Sequence, residues 1–274
     1  VEEPSKNFEK SWRDLAIRYD KEAASRSEFN RDYFTTLVDF RDGSLHDWSG
    51  EGQALSDAIA TPGEFAISPE GPNVLSNIFL AGIYSHKLSG KLNAAIRSPL
   101  LPQDKLFVSI QAMGGKLGSW RMPMDNCSLS DDYDMLETDS LKWVRIPTKF
   151  ENHSYPSYIE LVTRHDNPRF PERPYMNGRT YSLDQIKPRS YFGVAKVVAH
   201  DCEAVPENEL THLTDLFSGM SPKNFSELAA LYASKARQAI SAWAANKATD
   251  NDTKWISWLI RNELLPNSVH INKQ

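Results

Sequence analysis

At 274 residues the chain exceeds the usual size of one domain, so one large domain with attachments, or two domains, is expected. The net charge of −5 is spread evenly: residues 1–36 and 203–274 each hold eight acids and seven bases. No basic arm or stripe is present to follow a phosphate backbone, which argues against nucleic acid, and no run approaches the ~20 apolar residues of a membrane helix.

The chain opens on Val1 without a charged, then apolar leader. An export signal is therefore expected to have been removed or to lie upstream, and the protein to be exported, periplasmic or extracellular. Two cysteines, Cys127 and Cys202, follow no zinc spacing, and the histidines show no H-x-x-x-H pattern.

Taken in order, the hydrophobic period changes twice. From Ser5 to about Tyr33, Phe8, Trp12, Leu15, Ala16, Tyr19 and Ala23 recur at helical spacing, which predicts one long amphipathic N-terminal helix over 1–36. From 37 to 202, short β-branched and aromatic runs such as "NIFLAGIYSH", "KLFVSIQA", "LKWVRIP" and "YFGVAKVVAH" alternate with Gly, Pro, Asn and Asp clusters. Regular strands with turn signals predict an antiparallel sandwich or barrel. From 203 to 274 the helical period returns. Helices are expected from Pro206 to Phe217, from an N-cap at Asn224 with Glu227 three residues on, and around Trp255 and Leu259. Trp12, Trp243, Trp255 and Trp258 are expected to fill an interface between the terminal helices. The fold class is thus mainly β with flanking α.

The residues of the β region carry a resemblance. "FRDGSLHDW" resembles the opening strand and loop of galactose-binding-like jelly-roll domains, which sets Trp48 at the edge of the roll. "AIRSPLL", "KLFVSIQAMGG", "WRMPMDN", "LKWVRIP", "YIELVTRHDN" and "YFGVAKVVAHD" follow in the order such domains share. Over the whole chain, "AGIYSHKLSGKLNAAIRSP" and "FSELAALYASKARQAISAWAANKATD" resemble the middle segment of planctomycete cytochrome-c-associated multidomain proteins. The resemblances imply a jelly-roll sandwich, flanking domains of a parent protein as partners, and a structural calcium ion. Asp39, Asp42 and Asp201 are the implied calcium ligands, although Arg41 stands where the related opening has an acidic one.

Carbohydrate binding is the function this implies, and polysaccharide the partner. Sugars are held by an aromatic platform and planar polar side chains, and strand alternation sorts the candidates. In "SWRMPMDN", Trp120, Met122 and Met124 share a core face with Arg121 opposite; in "LKWVRIP", Val144 and Ile146 face the core with Trp143 and Arg145 opposite. Tyr84, His86, Asn93 and Arg97 surround a polar turn between two strands. A long loop collects Arg164, His165 and Asp166 with Arg169, Arg173 and Arg179, suited to an acidic or sulfated glycan. No G-x-S-x-G, phosphate loop or metal spacing supports an enzyme. The rival expectation is a ligand-free docking domain, and what separates the two is whether the aromatic-plus-arginine face is open or buried.

Overall fold

A computed structural model describes residues 4–68, 72–115, 118–125, 133–150, 153–163, 175–176, 179–180, 190–218 and 221–267. The chain divides into two compact units: residues 33–61 with 81–206, and residues 1–32 with 62–80 and 207–274.

The strands in chain order are β1 (Thr35–Asp39), β2 (Ser49–Glu51), β3 (Ile59–Ala60), β4 (Phe65–Ile67), β5 (Leu75–Ile78), β6 (Gly82–Tyr84), β7 (Ala95–Arg97), β8 (Phe107–Gly115) and β9 (Ser119–Arg121). They continue as β10 (Asp134–Met135), β11 (Thr138–Pro147), β12 (Lys149–Phe150), β13 (His153–Ser154), β14 (Glu160–Val162), β15 (Tyr175–Met176), β16 (Arg179–Thr180) and β17 (Tyr191–His200). In the first unit, a six-stranded sheet runs β11-β8-β17-β6-β3 with β1 also paired to β17, and a five-stranded sheet runs β10-β9-β14-β7-β2. All their pairings are antiparallel. Most successive strands of these two sheets pass from one sheet to the other, while β3–β6 and β9–β10 stay within one, so the expected sandwich is present.

Strand alternation builds its core. Val108, Ile110 and Ala112 of β8, Phe192, Val194, Val197 and Ala199 of β17, and Ile146 of β11 point inward from one sheet. Ile96 of β7 and Leu161 of β14 meet them from the other, with Trp120 and Met122 packed alongside. Each fully buried aliphatic or aromatic side chain contributes about 1.5–3 kcal/mol relative to exposure. The loop after β1 joins this core. Phe40–Asp42 makes a 3₁₀ turn capped by Asp39, and Gly43 (φ 85°) closes it with a bond from its N–H to the Phe40 carbonyl. Phe40 is fully buried and meets Trp48 edge to face at 5.2 Å. Trp48 is therefore a core residue and not one at the edge of the roll.

The second unit is helical: α1 (Pro4–Tyr33), α2 (Thr214–Phe217), α3 (Phe225–Ala244) and α4 (Asp250–Arg261). Trp12, Leu216, Leu231, Ala239, Trp255 and Ile256 form its core with Trp243 packed beside them, so the terminal helices cover one another as expected. Trp258 and Leu15 are more exposed. Asn224 caps α3 through the Glu227 N–H, and Thr249 with Asp252 forms a capping box on α4.

Two boundaries differ from expectation. The β4–β5 hairpin lies in the helical unit: the Trp243 indole donates to the Gly63 carbonyl (2.7 Å), Phe65 packs on Trp243, and Asn267 bonds both backbone groups of Leu75. Residues 207–213 are not helical, because side chains of α1 take the backbone groups a helix would have paired. Tyr19 donates to the Leu210 carbonyl, Arg26 to that of Asn208 and Asn30 to that of Glu207.

Candidate functional site

The outer face of the six-stranded sheet carries a polar row. Trp143 on β11 stands opposite Gln111 on β8, Gln111 opposite Lys196 on β17, and Lys196 opposite Asp39 on β1. Their chain neighbours Val144, Ile110, Ala112, Val197 and Val38 belong to the core, so all four side chains point away from it. At ~4.8 Å per strand, the row spans about 14 Å.

All four residues are partly exposed; on β8 and β17 the positions beside them on the same face are buried, whereas Leu37 on β1 and Arg145 on β11 are exposed. Along β8, Ser109 is fully buried on one side of Gln111 and Met113 is 6% exposed on the other. Val198, two residues from Lys196, is also buried. Register shifts fall in three of the four strands: between Thr36 and Val38, between Val194 and Lys196, and between Thr138 and Lys142. Such bulges re-aim side chains, and here each lies just before a member of the row.

Charges on the row are unevenly matched. Arg41 grips Asp39 through both carboxylate oxygens (2.7 and 2.5 Å). Burial raises the Asp39 pKa, but the Arg41 bonds and charge, with Lys196, more than reverse this and hold it below the ordinary carboxylate value. Arg145, two residues from Trp143, lies over the Phe107 ring at 4.8 Å and donates to the Glu203 carbonyl.

Arg97 and Arg121, also expected at a site, meet on the outer face of the other sheet around a residue that sequence reasoning missed. Glu160 of β14 pairs in register with both, accepting from Arg97 Nε at 2.6 Å and Arg121 Nε at 2.5 Å. The Tyr133 hydroxyl donates to it at 3.0 Å, and Arg121 covers the Tyr133 ring. Glu160 is only 2% exposed. Burial raises its pKa, yet the two guanidinium groups prevail and keep it lowered. Glu51 takes the remaining side of Arg97 at 2.7 Å. Among the described residues, the two guanidinium groups of this cluster are matched by the carboxylates of Glu160 and Glu51.

The remaining candidates separate. Strands β6 and β7, expected to flank one turn, belong to different sheets, so Tyr84 and His86 do not join Asn93 and Arg97. Tyr84 and His86 are buried, with His86 tilted against Tyr191 at 4.2 Å and edge-on to Tyr84 at 5.9 Å. Burial pushes the His86 pKa down to about 4. Asn93 serves as a brace: its side chain and carbonyl accept from the N–H groups of Gln53 and Ala54. Arg164, His165 and Asp166 lie outside the described residues.

The implied calcium ligands are not brought together. Asp39 is held by Arg41, Asp42 by His46 (2.9 Å) and Asp201 by Lys105 (2.8 Å), so each carboxylate already has a cation or imidazole partner. Among the described residues no three His, Cys, Asp or Glu side chains form a metal-binding group.

One Ser–His pair also escaped sequence reasoning. His200 Nδ1 donates to the Cys202 carbonyl (2.8 Å), so Nε2 accepts from Ser109 Oγ (2.8 Å). Ser109 is fully buried and His200 is enclosed by Phe34 and Phe107, so the pair satisfies polar groups beneath the sheet surface and presents no hydroxyl to a substrate. For the row itself, a signal did exist: Gln111 and Lys196 each interrupt a largely apolar strand, "FVSIQAMGG" and "YFGVAKVVAH".

No family model matches the chain, and no curated protein matches it. Among solved structures it is similar to the K2 cleaved adhesin domain of Lys-gingipain, at 8% identity and TM-score 0.28, over 61% of this chain and 98% of that one. It is also similar to the K1 cleaved adhesin domain of Lys-gingipain from Porphyromonas gingivalis W83, at 9% identity and TM-score 0.26, over 61% and 99%. The Agl-KA catalytic domain matches at 11% identity and TM-score 0.22, over 76% of this chain and 35% of that one. At these scores none of the three carries an argument, and the sandwich is read from its own strand pairing.

Proposed function

We propose that the chain is a non-catalytic carbohydrate-binding module, and that a glycan lies along the row Trp143–Gln111–Lys196–Asp39. The observation that carries this is the row's partial exposure where it crosses β8 and β17, whose flanking positions on that face are buried. A partly exposed indole offers an apolar platform to the CH face of a sugar, and the amide, ammonium and carboxylate beside it offer donors and acceptors to its hydroxyls. Side chains mounted on paired strands are held in place before a ligand arrives, which lowers the ordering cost of binding.

Affinity electrophoresis of the full chain through gels containing neutral or charged polysaccharides tests this. Retardation is expected with at least one glycan, and Trp143→Ala is expected to abolish it while near-UV circular dichroism shows the sandwich intact. If folded protein migrates freely through every gel, the carbohydrate reading fails. The rival, a ligand-free docking domain, draws its support from the buried positions on the same face, Ser109, Val198 and His200.

A further inference from the structure

We infer that the glycan taken by this row is anionic and that Lys196 and Arg145 set the preference; this rests on the carbohydrate-binding reading above. Charge matching on that face is the reason. Asp39 is closed by Arg41 and Asp201 by Lys105. Arg145 and Lys196 have no carboxylate within ion-pair distance among the described residues, and the polar group bonded to Arg145 is a neutral carbonyl. A guanidinium has five N–H donors and an ammonium three, so both cations retain unused donors.

Both lie near the indole, one along its strand and one across the sheet. Arg145 is two residues along β11 from Trp143, and Lys196 lies one strand beyond Gln111. Strand spacing and rise place their Cα atoms about 12 Å apart. A neutral glycan would meet them with hydroxyls only. A chain carrying carboxylates or sulfate esters would form charge-assisted bonds with both, and these are shorter and stronger than neutral ones. The rest of the molecule works against a polyanion, since the net charge is −5. Retention by a charged glycan therefore requires a local site such as this one and does not follow from bulk electrostatics.

The test uses the full chain in gels containing dextran, polygalacturonate or dextran sulfate, at low and at moderate salt. The expected result is stronger retention by a charged glycan than by dextran, weakening as salt screens it. The carboxylate and sulfate gels show which anion is preferred. Lys196→Gln and Arg145→Gln are each expected to reduce the charged-to-neutral preference about threefold, and the double variant about tenfold, in keeping with partly exposed ion pairs. Equal retention by dextran and by both charged glycans overturns the anionic inference while leaving the carbohydrate reading in place. Charged-glycan preference that survives the double variant overturns the assignment to Lys196 and Arg145. Retention by none of the three removes the carbohydrate reading itself.

Discussion

Lowering the pH from 6.5 to 5 should destabilise the sandwich through His86. The imidazole is 9% exposed, tilted against Tyr191 and edge-on to Tyr84, and burial depresses its pKa from 6.5 to about 4. The folded state therefore favours neutral His86, while the unfolded chain takes up a proton near 6.5. Stability from this group is complete above pH 6.5 and is lost as pH falls from there toward 4. With 1.36 kcal/mol per pKa unit, the full loss is about 3 kcal/mol, of which about 1.5 falls between pH 6.5 and 5. Urea unfolding of the full chain at the two pH values measures the sum over all titrating groups. His200 and His212, whose pKa values burial also lowers, add slopes of the same sign. The quantity to compare is thus wild type against His86→Gln, where about 1.5 kcal/mol of the pH effect should vanish. The imidazole pKa read by NMR provides an independent check. A titration midpoint near 6.5 in the folded protein would falsify the burial argument outright.

Other substitutions test the frame around the site. Glu160→Gln leaves two guanidinium groups without their shared carboxylate; because Arg97 and Arg121 are partly exposed, the expected loss is about 2–3 kcal/mol, below that of a fully buried ion pair, measured by urea unfolding. Gly52→Ala should cost at least about 2 kcal/mol, since Gly52 has φ 105° and a Cβ there would sit 2.5 Å from the Asn93 carbonyl oxygen, a backbone atom. Thr249→Ala removes one half of the α4 capping box and should lower the helical unit's stability by about 1 kcal/mol, while leaving glycan retention unchanged.

What the sequence made legible follows from the range of the interactions involved. Period-2 runs such as "KLFVSIQA" and the helical spacing of Phe8, Trp12 and Tyr19 are local signals, and both elements formed where expected. The Asn224–Glu227 cap is likewise local. Sequence spacing contains no information on which strand lies beside which. Arg97 and Arg121 were singled out as cations, but their partner Glu160 lies 63 and 39 residues away and is set by sheet order alone. The same limit hid the Trp143–Gln111–Lys196–Asp39 row, which joins four strands from separate parts of the chain, and the loss of helix at 207–213, where distant side chains outcompete local propensity. Trp48 went astray for another reason: the resemblance of its loop set it at the edge of the roll, yet it packs into the core against Phe40.

The two sheets place arginine beside carboxylate in opposite ways, and the difference suggests a decisive substitution. In the five-stranded sheet the carboxylate stands in the middle strand, between two arginines in register, and the row is closed. In the six-stranded sheet the middle is Gln111, an amide, and the carboxylate at the end is occupied by Arg41. Gln111→Glu should convert the second arrangement into the first. The side chains are nearly isosteric, and the new carboxylate would face Lys196 directly across the strands. An opposed charge pair of this kind is worth about 0.2–1 kcal/mol, so unfolding in urea should show no loss of stability. Retention by charged glycans should nevertheless fall, because Lys196 is neutralised and a negative charge now lies on the path of the polyanion. Should the variant fold normally and bind charged glycans as wild type does, the row is not where they bind.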